Sequence, residues 1–511
     1  MKKPHLVVLA LVTSALFVVL FYQKMIGLNL LLFEAVVVPV MFYVNRPIKF
    51  NLLTVSILSA TGLTAFFAVI ANTSWGIFVN FALLFCLGYV LAFQKGKSFA
   101  HVVCGTFLRC FLAQISLFSP QPKDETDPNA KTSFWRKSYK FFFIVVIPVC
   151  ILLFFFVLYL ASSSGFYYFV EPFLNKIADW ISKISFTMFW FFILGLIVAN
   201  PLIMRTKPFS IYEQDCSSSN ELKRIRRKYF FPFRTTALKT QNTAGVVLLF
   251  LLNALILCFN YVDITNIWIG FEWNGRFLRE FVHEGTWILL FSVFISAAIA
   301  LYFFHNNLNF YSKNKLLKRL TVLWIVQNLV MTLSVAIRNF HYINHFGLAY
   351  KRIAVLFFLV LVAVGLVTII IKILQLKSSY FLWRINGFSL LVVLTVSSLF
   401  NWDTIITKYN FAHCNRSLIE YRFIAELSDA ALPYAAKTME ELADIDAAQK
   451  KAMPPEIISQ DYLWDYQTYY DCMIRKQTVF LKHYQSRSVL EWNLPDYLAY
   501  RKLNKTTKAD K

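Results

Sequence analysis

Long apolar runs alternate with short polar segments from the first residues of the chain to about position 400. A helix needs roughly 17 to 25 largely apolar residues to cross a bilayer. Eleven runs meet that length, with cores at Leu6–Tyr22, Leu28–Val44, Leu52–Ala71, Trp75–Phe93, Phe141–Leu160, Ile184–Leu202, Ala244–Tyr261, Gly285–Phe304, Leu320–Ile337, Ile353–Ile371 and Tyr380–Phe400. Past Asn401 the pattern becomes shorter and amphipathic. Leu418, Phe423, Ile424 and Leu427 keep helical spacing. Helices are expected around Ser417–Leu427, Ala435–Ala448, Asp461–Tyr484 and Pro495–Leu503, with a break at Pro454-Pro455. The pattern therefore predicts an all-α protein: a polytopic transmembrane helix bundle over residues 1–400 and a small helical domain over residues 401–511.

Composition agrees. Of 511 residues, 58% are hydrophobic, 18% aromatic and only 15% charged, with a mean hydropathy of +0.55. A soluble domain carries about 25% charged residues, so the polar surface is too small to clothe a water-soluble body. The net charge of +23 is unevenly placed. From Asn401 onward 15 basic residues balance 15 acidic ones, so the excess belongs to the preceding loops. That distribution suits anionic phospholipid headgroups at a bilayer surface and not nucleic acid.

Charge also predicts orientation. The basic segments Arg46–Lys49, Lys95–Lys140, Arg205–Lys239, Lys313–Arg319 and Lys372–Arg384 are alternate loops, which puts the N-terminus in the cytoplasm and the tail outside. The first run, preceded by Lys2 and Lys3, lacks a small-x-small cleavage site and reads as an uncleaved anchor. One further apolar stretch, residues 102–118, carries Arg109 near its centre and basic residues on both flanks. It is expected to be a re-entrant or interfacial helix, because Arg109 in hydrocarbon would cost several kcal/mol. The segment Arg338–Arg352, on the outer face in this scheme, holds three basic residues that run against the rule.

Candidate chemistry is sparse. There is no phosphate-binding loop, nucleophile elbow, HExxH or CxxC pair, and nothing requires a cofactor or a metal. His341 and His345 share a helical face at the spacing of two zinc ligands, but no acid or thiol adjoins them. The favoured reading is an aromatic-and-histidine interfacial belt. Glu34 sits inside a span, where a carboxylate needs a partner or a proton; function and a structural ion pair are both open. Glu280, His283 and Glu284 cluster at the head of a span and supply an acid/base or proton-binding candidate. His283, Glu284 and His341 are the weak catalytic candidates; Glu34, Glu280, Glu284, Arg338 and Arg352 are the binding or coupling candidates. Arg338 and Arg352 are expected to pair with Glu280 or Glu284. The basic loop with Lys223, Arg224, Arg226, Arg227 and Lys228 is expected to contact anionic phospholipid on the cytoplasmic side, at about 1 kcal/mol per basic group. Cys414 and Cys472 fall in the tail, which the topology puts in an oxidising compartment, and are expected to form a disulfide.

Three short motifs resemble a family of bacterial multipass membrane proteins known only by a domain of unknown function. They are His283-Glu284-Gly285-Thr286-Trp287, Arg338 with Phe346-Gly347-Leu348-Ala349-Tyr350-Lys351-Arg352, and Leu427-Ser428 with Pro433; Trp492-Asn493-Leu494 adds a fourth point. The family's Arg-Glu-Gly-Phe-Trp is altered here to His at the first position and Thr at the fourth. The resemblance implies a multi-pass protein of the bacterial cytoplasmic membrane with a helical tail, and no activity. Small-molecule or ion transport, or a scaffold for envelope assembly or signalling, is the leading reading. The alternative is a transferase acting on a lipid-linked substrate at the outer face. That alternative expects an acidic group in the first outer loop, where Gln23–Asn29 has Lys24 and no carboxylate.

Overall fold

The computed structural model describes residues 3–118, 147–162, 166, 168, 170–176, 186–204, 206, 209–224, 238–270, 275–304, 307–452 and 464–509; along the helix at 275–303, side chains are described from Ile288 onward. Among these residues the regular structure is helical, apart from one isolated bridge between Glu221 and Lys377. The first group of helices is α1 (Lys3–Phe21), α2 (Leu28–Val44), α3 (Leu52–Ile70), α4 (Ser74–Ala92), α5 (Phe99–Phe118), α6 (Ile147–Ser162), α7 (Phe186–Ile203) and the short α8 (Phe209–Ser217). The second is α9 (Leu238–Asp263), α10 (Gly275–Phe303), α11 (Lys315–Phe346), α12 (Tyr350–Leu374) and α13 (Ser379–Ser397). Over the described residues, each of the eleven expected span cores overlaps one of these helices.

Nine helices among the described residues are long and apolar enough to cross a membrane, and Leu28–Val44 and Ile288–Phe303 are shorter apolar helices. Their surfaces fit that setting. Val12, Phe66, Phe78, Phe154, Phe250, Leu255, Phe291 and Tyr302 project outward, a load of exposed apolar surface that water does not tolerate. Buried side chains of α1 to α5 and α7 form one core, joined by Leu391 of α13. Those of α9 to α12 form another. Helix α13 packs on both α12 and α5 and so joins the two groups. Several ends are capped by side chains in the ordinary way: Asn51 accepts from Thr54 N, Thr73 from Gly76 N, Ser378 from Phe381 N and Asn401 from Thr404 N.

Helix α5 contains the stretch expected to be re-entrant, and by length and composition it too qualifies as a span. Arg109 is 1% exposed and does not meet lipid. Its guanidinium donates to Gly88 O, and to Met204 O at 2.7 Å. Gln114 donates to Ile197 O at 2.9 Å and accepts from Asn200. These partners lie within the last two turns of α4 and α7, or just past them, so α5 runs along one end of that helix group.

Beyond Ser397 the chain forms α14 (Trp402–Ala412), α15 (Tyr421–Glu426), α16 (Leu432–Ala435), α17 (Met439–Ala452), α18 (Tyr466–Gln485) and α19 (Leu494–Ala509). Ile406, Ile424, Leu432, Leu442, Tyr469, Met473, Phe480 and Leu503 build a core of their own, reached from the bundle by Ile353. This tail docks on one end of the bundle. Trp492 O accepts from Leu28 N at 2.9 Å, and Asn401 donates to Ala71 O at 2.7 Å. Gly27 allows the first contact: a β-carbon there would stand 2.6 Å from the backbone oxygens of Glu491 and Trp492.

Candidate functional site

Glu34 lies on the buried face of α2 with 5% exposure. Asn80 of α4 is beside it and completely buried. Asn80 Nδ2 donates to Thr61 O at 3.3 Å and Thr64 Oγ1 at 3.1 Å, and Thr64 Oγ1 donates to Thr61 O. That network fixes the amide so that Asn80 Oδ1 is an acceptor with no donor, and Glu34 Oε1 is another. The ion pairs among the described residues involve other acids. Glu34, Asn80 and Thr64 each lie six residues from the tail-side end of their helix, about 9 Å below it at 1.5 Å per residue. The Asn80 amide is the hydrogen-bonding side chain beside the Glu34 carboxyl, but its N–H groups are directed to Thr61 and Thr64. Among the described residues neither Glu34 Oε1 nor Asn80 Oδ1 therefore has a donor within hydrogen-bond distance. A bare carboxylate there costs several kcal/mol; a proton or a small cation removes the deficit.

A second buried polar system runs along the seam between α9 and α11. Asn253 donates to Leu320 O and Asn260 to Gln327 O, both 67 residues apart in sequence. The constant offset means that the two helices run parallel. Gln327 closes the ladder by donating to Asn253 Oδ1 at 2.7 Å. At its tail-side end, Asp263 accepts from Ser334 Oγ and from Arg338. Both members of the Asp263–Arg338 ion pair are almost fully buried. A π-helical turn, Ile264–Ile269, follows Asp263. It turns Trp268 to donate to Ser334 Oγ at 3.1 Å, and the Ile267 carbonyl lies 3.2 Å from His341 Nε2. Interhelical hydrogen bonds of this kind are worth about 0.6–2 kcal/mol each in a membrane.

The segment Arg338–Arg352 is the joint between bundle and tail. Gly347 closes α11 with φ +75°, the left-handed conformation that glycine tolerates best. The turn is then gripped by the tail. Leu348 N donates to Asn410 Oδ1, Asn410 Nδ2 donates to Leu348 O, and Leu418 N donates to His345 O. Tyr350 donates to Asp403, whose other oxygen accepts from Ser428 N at 3.0 Å. Arg352 stacks over the Tyr342 ring with its guanidinium carbon 4.4 Å from the centroid, and donates to Phe346 O at 2.7 Å and to Gly347 O. It therefore caps the carbonyls that α11 leaves open, where the helix dipole favours a cation.

Other basic groups are used the same way. Lys372 is buried and donates to Phe304 O, just past the end of α10. Lys24 donates to Val19 O near the end of α1, and Lys476 to Ala425 O and Leu427 O at the end of α15. Burial pulls the Lys476 ammonium below its ordinary range, opposed by Asp429. Of the three basic residues that run against the loop-charge rule, Arg338 faces Asp263, Arg352 caps α11, and Lys351 is exposed.

One expectation changes. Cys414 and Cys472 are free thiols, not a disulfide; Cys414 Sγ points to Asn415 Oδ1 at 3.7 Å, and both cysteines pack as small apolar groups against the tail core. Among the described residues Arg338 pairs with Asp263 and Arg352 donates to backbone carbonyls; the expected pairing with Glu280 or Glu284 falls outside them. The side chains of Glu280, His283 and Glu284 lie outside the described residues. So do Arg226, Arg227 and Lys228, while Lys223 and Arg224 are exposed.

Asp263 escaped the sequence reading because it closes an apolar run, where acids are common. The seven-residue spacing of Asn253 and Asn260, and of Gln327, Ser334 and His341, was the available signal. Asp215 was also missed. It is buried and gathers Lys97 N at 2.7 Å and the Tyr380 hydroxyl at 2.6 Å, tying the starts of α5 and α13 together.

Residues 57–438 match the model of the family described as Domain of unknown function (DUF4153), and the chain belongs to that family. No curated protein and no solved structure matches it. The family match covers the Glu34-facing residues of α3 and α4, the α9–α11 seam and the Gly347 joint. It ends before α17, so Trp492-Asn493-Leu494 lies outside it.

Proposed function

We propose that this member of the family is a multi-pass transport protein that takes up and releases a proton or small cation at Glu34. The observation that carries the reading is the pair of buried, donorless oxygens, Glu34 Oε1 and Asn80 Oδ1. A structural ion pair would leave no such deficit. Ionisable groups at membrane depth are costly and mark ion pathways and proton relays. A site about 9 Å from the bundle end is deep enough to be dry and shallow enough to exchange with water through a small movement of α2. Pro39, one and a half turns further along α2, removes a backbone donor and weakens the helix there. In this reading the protein sits in a bacterial cytoplasmic membrane, and its exposed Lys223 and Arg224 meet anionic phospholipid.

The test is reconstitution. Protein in liposomes that enclose a pH-sensitive dye or a Na⁺-sensitive dye is exposed to a panel of amino acids, sugars, organic acids and alkali cations. The reading expects one solute class to drive a change of internal pH or Na⁺ that Glu34→Gln abolishes. Uptake that proceeds equally well with Glu34→Gln would end it.

A further inference from the structure

A cleft of about 540 Å³ opens where the tail meets the turn between α1 and α2. Its apolar side is Phe21 and Phe191, and its polar side includes Lys24, His483, Arg487 and Glu491. Phe21 and Phe191 belong to an aromatic cluster with Phe17 and Phe33 at the end of the bundle. Phe186, Phe189 and Trp190, on the same helix as Phe191, are exposed apolar residues. The Phe191 side of the cleft thus lies on a helix that also carries exposed aromatics. The turn is held against the tail by Glu491, and Gln23 takes a positive φ of 53° to make it.

The hydrogen-bond inventory of the polar side is lopsided. Glu491 is already satisfied: one oxygen accepts from Met25 N at 3.2 Å and the other from Ser488 N and Ser488 Oγ. Burial pushes its carboxyl up, but the hydrogen bonds from Ser488 and Met25 outweigh that and hold it below the usual range. Donors are in surplus. A guanidinium offers five N–H groups; Arg487 donates from Nη1 to Asp496 at 2.6 Å, and its Nε is buried without an acceptor. The Arg487 side chain is 6% exposed, so that lost bond is not recovered from water. Lys24 directs its ammonium to Val19 O at 2.7 Å and, with three donors, has further capacity. Exposed His483 and Ser486 add to the same side.

We propose that this cleft binds a phosphate-bearing amphiphile, with the phosphate taken by Arg487, Lys24 and His483 and the acyl portion lying along Phe21 and Phe191. Charge-assisted bonds from guanidinium and ammonium to phosphate are among the strongest available to a protein, and the aromatic side selects a ligand with a chain. The site is separate from Glu34 and does not require transport.

The experiment uses the full chain in detergent micelles, with thermal unfolding as the readout. Three probes are titrated: dioctanoyl phosphatidic acid, dioctanoylglycerol, which lacks the phosphate, and inorganic phosphate, which lacks the chains. The expected result is saturable stabilisation by the phosphatidic acid alone, with affinity reduced at least 5-fold in Lys24→Gln and in His483→Gln. Arg487→Lys keeps a charge for Asp496 but removes Nε, and is expected to weaken binding as well. Equal stabilisation by dioctanoylglycerol overturns the phosphate site. Equal stabilisation by inorganic phosphate assigns the cleft to a free anion and overturns the amphiphile. Unchanged affinity in the Lys24→Gln, His483→Gln double variant overturns the location.

Discussion

Replacing Asp263 by Asn tests the energetics of the α9–α11 seam most sharply. The change keeps shape and removes charge. Asp263 faces Arg338, and the two side chains are 4% and 6% exposed. Removing one partner of such a pair takes the counter-charge from the other, at a cost of about 3–5 kcal/mol. Arg338→Met leaves the carboxylate with Ser334 Oγ as its described hydrogen-bond donor, and a similar loss is expected. Replacing both groups together removes the charge problem, so Asp263→Asn with Arg338→Met is expected to return to within about 1 kcal/mol of the parent. With each single change costing about 3–5 kcal/mol and the double about 1 kcal/mol or less, the double-mutant cycle should give a coupling of at least about 5 kcal/mol. The assay is thermal unfolding of the four purified proteins in one detergent, ranked at a single scan rate because unfolding of such proteins is commonly irreversible. Additive losses, with coupling below about 0.5 kcal/mol, would refute the claim that the pair is energetically one unit.

Other expectations follow from the same geometry. Gly347→Ala requires φ +75° of a residue with a β-carbon and places that carbon 2.6 Å from Asn410 Oδ1, so about 1–3 kcal/mol of strain should loosen the tail and speed its proteolysis. Asn253→Leu leaves Gln327 Nε2 without its acceptor and should cost about 0.6–1.7 kcal/mol in thermal unfolding. Glu491 has a depressed pKa, so its contribution to tail docking is fully present above the ordinary value of 4.5 and is lost as pH falls through the lower value. Limited proteolysis should therefore find the tail resistant at neutral pH and released in acid, with Glu491→Gln released already at neutral pH. For α5, we propose the interfacial arrangement: in a cysteine-free background, cysteines placed at Lys97 and Ser116 should react with an impermeant maleimide from the same face of the membrane, whereas a span would expose them to opposite faces.

Much of the bundle was legible because a bilayer imposes one rule on every span: about twenty apolar residues. Each expected core accordingly meets a helix. The fates of the polar groups were harder to read. Glu34 stood out, since an acid inside an apolar run is expensive wherever it points. Arg109 was expensive in hydrocarbon too, but sequence does not reveal that Gly88 O and Met204 O converge on it. Arg338 does face an acid, Asp263, which the sequence did not single out. Arg352 meets the carbonyls of Phe346 and Gly347, and a loop charge and a helix cap look alike until the neighbouring helix end is placed. Cys414 and Cys472 were joined by compartment logic alone; their shared core needed packing, not a covalent link. The cleft was out of reach of any local pattern, since Met25 and Glu491 meet across 466 residues of chain.

Glu34 carries the central claim, and infrared difference spectroscopy addresses it directly. Full-length protein in lipid would be taken through a pH step in choline buffer and again in Na⁺, with Glu34→Gln as the reference. The account predicts a protonated-carboxyl band in the parent that is absent from Glu34→Gln and that diminishes when pH is raised or Na⁺ is supplied. Identical parent and Glu34→Gln difference spectra across the whole pH range, in both buffers, would contradict it and leave Glu34 a structural group.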